Sequence, residues 1–228
     1  MGRLNPSYQG ELTALSLAAG MNAAVENAAR LFHDAETLCA MGSFPTCASL
    51  AILSIEESGK VAVLREMSLA RSPAERKECW KAYRSHRRKN VAWFMRDLVE
   101  SGARTLDELY PLVDPDSDHP AVLDQFKQAG FYTDCLNERS WSLPATAVTD
   151  NFAKSMLSRA RALLSNRKHT AREVELWVEH IGPVWKSDMD SMKRGVLGWQ
   201  DAMLREGLAT EGAITMRAFL FGPVVPEC

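Results

Sequence analysis

Apolar residues recur every three or four positions along most of this chain, the period of an amphipathic helix. Leu12, Leu15, Ala19, Ala23, Leu31, Ala35 and Leu38 keep that spacing from Glu11 to Met41, and Gly42 is a natural stop. Pro45 opens a second helical run to about Ala70. Ser72, Pro73 and Glu75 then give an N-cap, a proline at the first helical position and a capping acid, so a third helix is predicted to run to Ser101, where Gly102 ends it. Thr105 to Pro120 breaks the pattern with prolines and five acids and predicts a loop with one turn at Leu106 to Tyr110. A short helix is predicted from Ala121 to Ala129, and an irregular stretch with a small hairpin from Gly130 to Pro144. Long helices follow at about Ala145 to Asn166, Thr170 to His180 and Val184 to Glu206. No βαβ alternation, GxGxxG or GxxxxGK[ST] occurs, which argues against a Rossmann enzyme or a P-loop NTPase and for an all-α bundle.

The second helix carries the first chemical hint. Projected at about 100° per residue, Cys47 to Leu64 is apolar on nearly every side, the mark of a buried central helix. Glu56 and Glu57 interrupt its apolar arcs. A buried carboxylate needs a partner, and Lys60 is within reach of either. A plain register-fixing ion pair and a functional site are both open at this point. Gly59 costs about 1 kcal/mol in a helix interior, which suggests close approach of another element.

Composition narrows the class. With 46% hydrophobic and 25% charged residues among 228, the chain has material for a core, and disorder is excluded. Its five cysteines (Cys39, Cys47, Cys79, Cys135, Cys228) form no CxxC pair, so a zinc ribbon or thioredoxin motif is excluded and reduced thiols are expected. The N-terminus lacks a signal-peptide layout, Pro6 breaks a myristoylation motif, and no apolar stretch is long enough for a bilayer. A cytoplasmic protein without membrane contact is expected.

A net charge of −2 hides strong partition. Lys81, Arg84, Arg87, Arg88 and Lys89 crowd around His86, five cations in nine residues. Asn151 to Arg172 holds a second block (Lys154, Arg159, Arg161, Arg167, Lys168, His169, Arg172) with no acid between. Most such runs are solvated faces. A titratable imidazole set among fixed cations and aromatic neighbours is nevertheless what phosphate chemistry uses, and a polyanion-binding groove is the functional expectation. A di-iron bundle needs Glu-x-x-His pairs, and none occurs. A helix-turn-helix is disfavoured because the aromatic seam of the third helix (Trp80, Tyr83, Val91, Phe94, Leu98) belongs in a core.

Several ordered motifs resemble the AbiV family of bacterial abortive-infection proteins. They are Asn27, Asp34-Ala35 and Glu56-Glu57-x-Gly59-Lys60, then Ser85-His86 with Lys89 in an aromatic-rich helix, then the segment Asp124 to Pro144 with Lys127-x-x-Gly130. The likeness spans roughly residues 15 to 180. It is similar to the HEPN superfamily, small helical bundles that often dimerise and are often metal-independent RNases. The resemblance implies a HEPN-like helical domain over 8–180 including an acidic loop at 103–120, with 181–228 a C-terminal helix and tail packed on it. The usual Arg-x(4–6)-His signature is replaced before His86 by Lys81-x4-His86.

An anti-phage effector that cleaves RNA without metal or cofactor is therefore the leading functional expectation. His86 would act as base or acid, Arg84 and Lys60 would stabilise charge, and Glu57 would orient them. Lys81, Arg87, Arg88 and Lys89 would bind RNA, and two protomers would form the cleft. The alternative is a non-catalytic phage sensor or arrest protein that binds RNA, a phage protein or the translation machinery. A phage or host protein trigger fits both.

Overall fold

A computed structural model describes residues 7–93, 95–112, 114, 118–135, 140–212 and 214–222, apart from the Arg87 side chain. The readings made on Pro6, Phe94 and Cys228 lie outside the described residues. Helix α1 (Ala14–Ala40) starts at Thr13, whose hydroxyl accepts the Ser16 amide. Met41–Ser43 turns the chain, with Gly42 at φ +76°, into α2 (Phe44–Met67). The two helices form the frame of an all-α, HEPN-like bundle.

Helix α2 is the central helix that its all-round apolarity predicts. On one side Ala48, Ala51, Ile52 and Ile55 meet Phe32 and Ala35 of α1, Leu123 of α6 (His119–Phe131) and Met156 of α8 (Asp150–Leu163). Toward its C-terminal end Leu64 and Met67 meet Leu17 and Met21 of α1, Trp80 of α3 (Pro73–Arg84) and Val174 of α9 (Ala171–Ile181). A third cluster joins Leu176 of α9 to Trp199 and Met203 of α10 (Met189–Arg205). No helix among the described residues is long and apolar enough to cross a membrane.

The expected third helix is three. Helix α3 is capped as read, the Ser72 hydroxyl accepting the Glu75 amide at 3.2 Å. It ends at Ser85, which is extended (φ −83°, ψ 126°). The chain resumes in the short α4 (His86–Lys89) and, after a turn, in α5 (Met95–Glu100). No glycine or proline marks the break. Its cause is tertiary: the buried Glu56 carboxylate on α2 needs counter-charges, and redirecting the backbone at Ser85 turns His86 and Lys89 onto it.

The middle of the chain is irregular, as expected. A 3-10 turn spans Asp107–Leu112, and Asp107 pairs with Lys193 of α10 at 2.9 Å. Strands β1 (Asp134–Cys135) and β2 (Trp141–Ser142) make the small hairpin, Cys135 opposite Trp141, before the single turn α7 (Pro144–Ala147). Helix α10 begins later than the pattern suggests, at Met189, because Asp188 caps it through the Ser191 amide at 2.8 Å. The terminal α11 (Met216–Phe221) returns to the middle, where the Phe219 carbonyl accepts the Leu106 amide.

Candidate functional site

Three elements converge on Glu56. Gly59 lets α4 lie on α2, since a Cβ there would stand 2.9 Å from the Lys89 carbonyl carbon and overlap its oxygen. Gly130 does the same for α6, where a Cβ would come within 2.7 Å of the Pro45 carbonyl oxygen. The Ser49 hydroxyl donates to the Lys127 carbonyl and fixes that second approach. These contacts carry three basic side chains to one buried carboxylate. Lys127 Nζ lies 2.6 Å from Glu56 Oε1, His86 Nδ1 lies 2.6 Å from Oε2, and Lys89 Nζ stands 3.9 Å away. Asp124, one turn before Lys127, pairs with it at 2.7 Å.

Burial differs sharply within the cluster. Glu56, Lys89 and Lys127 are almost wholly enclosed, whereas the His86 side chain is 50% exposed. A carboxylate only accepts, so the 2.6 Å contact assigns a proton to Nδ1. Lys127 Nζ also lies 3.1 Å from Nδ1 but has Glu56 and Asp124 as acceptors. Nε2 lies on an exposed ring, with no hydrogen-bond partner among the described residues. This is how a carboxylate orients a histidine as a base.

The charges balance. Glu56 and Asp124 face Lys89 and Lys127, two acids against two ammonium groups. Burial pushes the Lys89 ammonium below its ordinary range despite the pull of Glu56. Burial also pushes the Asp124 carboxyl up, but the hydrogen bond and charge of Lys127 more than reverse it and hold it below the usual value. Ligand atoms of Glu56, His86 and Asp124 lie within 4.8 Å of one another, a spacing that suits a metal ion. The Lys127 ammonium touches all three and already supplies a positive charge at their centre.

Of the residues expected from sequence, His86 and Lys89 enter this cluster. Glu57 does not orient His86. It pairs with Lys60 at 2.6 Å, and the Lys60 ammonium lies 5.1 Å from the centre of the Tyr83 ring. Arg84 turns away, donating to the Tyr8 and Trp80 carbonyls at 2.7 and 3.3 Å and stacking on Trp80. Lys81 pairs with Glu78 on the surface. Arg88 is exposed and makes no ion pair among the described residues, and the Arg87 side chain lies outside them. Sequence reasoning singled out Glu56 but gave the site role to its neighbour, and it missed Asp124 and Lys127. The available signal was Asp124-x-x-Lys127-x-x-Gly130, a charged pair at helical spacing beside a glycine.

The second basic block is largely neutralised. Arg159 grips Asp97 through Nε and Nη2, Arg161 pairs with Glu36, Lys154 with Asp150, and Arg172 with Glu175, Glu179 and Glu206. Arg167 and His169 pair with the buried Glu173. The acid-free run in sequence is therefore not an open basic face, because acids of other elements meet it.

Fold and site together define a HEPN-like helical bundle with a solvent-facing histidine held on a buried carboxylate. The family described as AbiV, of the HEPN class, matches residues 16–165, and the chain belongs to that family. Membership supports a part in abortive infection. No curated protein and no solved structure matches the chain.

Proposed function

We propose that this protein is an abortive-infection effector that cleaves RNA, with His86 as the general base. One observation carries the reading: Nδ1 of His86 is tied to buried Glu56 while the ring stands half in solvent with Nε2 unpartnered among the described residues. Nε2 would take the proton of a ribose 2′-hydroxyl. The resulting oxyanion would attack the adjacent phosphorus and expel the 5′-oxygen, leaving a 2′,3′-cyclic phosphate and, after protonation, a 5′-hydroxyl. Lys127 and Glu56 are positioning residues that hold the ring and its tautomer. Among the described side chains, Arg88, exposed two residues beyond His86 and without an ion pair, is placed to meet the phosphorane. The proposal places the protein in the cytoplasm as a homodimer, which sedimentation velocity tests directly.

A second reading rests on the charge balance. Glu56, Asp124, Lys89 and Lys127 satisfy one another, and most other cations are paired, so the face could bind RNA or a phage protein without cutting. The two readings separate in one experiment. Wild type, His86→Ala and Glu56→Gln are incubated with total RNA and with tRNA in EDTA. Cleavage by wild type that is lost in His86→Ala and weakened in Glu56→Gln supports the nuclease, and 2′,3′-cyclic ends identify the chemistry. RNA that stays intact with folded wild type, also with phage extract added, overturns it in favour of the binding reading.

A further inference from the structure

A second polar cluster lies on the other side of α2. Ser58, Val61 and Arg65 project about 140–200° around the helix from Glu56. With Val25 and Ala28 of α1 and Leu163, Ser165, Arg167 and His169, they line a cavity of about 250 Å³. The cluster is anchored by Glu173, 2% exposed. Its Oε1 meets Arg65 at 2.9 Å, and its Oε2 meets His169 Nδ1 at 3.0 Å and Arg167 Nη2 at 3.2 Å. Asn22 locks the His169 backbone through two hydrogen bonds, and Arg65 stacks against Trp177 and Trp199.

One carboxylate thus serves two guanidinium groups and an imidazole. The cavity wall carries at least one uncompensated positive charge. Arg167 Nε and Nη2 are shielded from water and lack a hydrogen-bond acceptor among the described residues, Nη2 having only its ion-pair contact with Glu173. Charged donors without acceptors are costly, and since the Arg167 side chain as a whole is 37% exposed, a small shift of its guanidinium toward the cavity would bring both donors to an incoming anion. Burial lowers the Arg65 pKa against the pull of Glu173, and neighbouring Arg167 lowers it further. An anion in the cavity would relieve both.

We infer that this cavity binds a phosphate group, held by Arg167 and Arg65 with Ser165 at the mouth. An anion offsets the surplus charge of two guanidinium groups over one carboxylate, and the planar guanidinium of Arg167 suits two phosphate oxygens. The size admits free phosphate or the phosphate end of a monoester. The apolar wall of Val25, Val61 and Leu163 would lie beside an attached organic group. The site shares no residue with the His86 cluster, so it stands or falls separately from the nuclease proposal.

Isothermal titration of the whole protein with inorganic phosphate and with AMP, at matched ionic strength, tests it. Modification of Arg167 by phenylglyoxal is followed in parallel by mass spectrometry. Saturable binding with protection of Arg167 is expected from at least one ligand. Binding of phosphate alone points to the free ion, and tighter binding of AMP points to a nucleotide. Arg167→Gln should weaken binding about tenfold or more, the loss of a charge-assisted pair. Ser58→Leu, which fills the cavity and leaves every charge in place, should do likewise. Absence of heat and protection with both ligands overturns the inference, and so does affinity unchanged in both folded variants.

Discussion

Replacing Lys127 by Met removes the ammonium from between Glu56 and Asp124 while keeping much of its volume. Glu56 is 2% exposed and cannot recover water. Asp124, at 30% exposure, can. Lys89, 3.9 Å from Glu56, compensates in part. Breaking one partner of a buried pair costs about 3–5 kcal/mol, and the nearby lysine argues for the lower end. For a chain of this size about 3 kcal/mol lowers the melting temperature by roughly 6–12 °C. Urea unfolding of wild type, Lys127→Met, Glu56→Gln and the double variant measures the loss and the coupling. The double variant should be more stable than the sum of single losses predicts, because the second substitution removes the very carboxylate that the first leaves unpaired. A loss below about 1 kcal/mol for Lys127→Met, or strict additivity in the cycle, would refute the buried-cluster argument.

Three further outcomes follow from other contacts. Gly59→Ala should destabilise by about 1–3 kcal/mol, because its methyl meets the Lys89 backbone, although helix propensity alone favours alanine by about 1 kcal/mol; a stabilised variant in urea unfolding would show that α4 does not sit tightly on Gly59. Burial pushes the Glu173 carboxyl up, but the hydrogen bond from His169 and the charges of Arg167, His169 and Arg65 hold it below its ordinary value of 4.5. Its stabilisation is therefore complete above that value and is lost as pH falls through the lower folded one, so the stability gap between wild type and Glu173→Gln should close in acid, and a gap independent of pH would contradict this. Burial, then the neighbouring Cys39, push the Cys47 thiol up to about 12, so native-state maleimide labelling should modify exposed Cys135 and spare Cys47; equal labelling rates would show that α2 is not closed over that thiol.

Local pattern was enough for α1, α2 and the start of α3, because their signals are local: apolar period, Gly42, Pro45, and Ser72 with Glu75. The break at Ser85 was not legible, since Ser85-His86-Arg87 contains no residue that stops a helix and the cause lies 30 residues back at Glu56. The choice between Glu56 and Glu57 was equally hidden. Both interrupt apolar arcs about 100° apart, and only the arrival of α6 some 70 residues later decides which one becomes buried among cations. The basic block after Asn151 misled for the same reason, because its counter-charges (Glu36, Asp97, Glu206) come from distant elements.

Two glycines were the local trace of this non-local arrangement. Gly59 and Gly130 lie where neighbouring backbone presses on α2 or α6, and each sits three residues from a cluster member, Glu56 and Lys127. The spacing has a physical reason. Side-chain contacts of 2.6 Å inside a packed core require the backbones carrying them to come close within about one helical turn, and only glycine permits that approach. At Gly59 and Gly130, where the neighbour that presses in is backbone, the charged residue three positions away marks where one element delivers charge to another, and both lead to the carboxylate that holds His86.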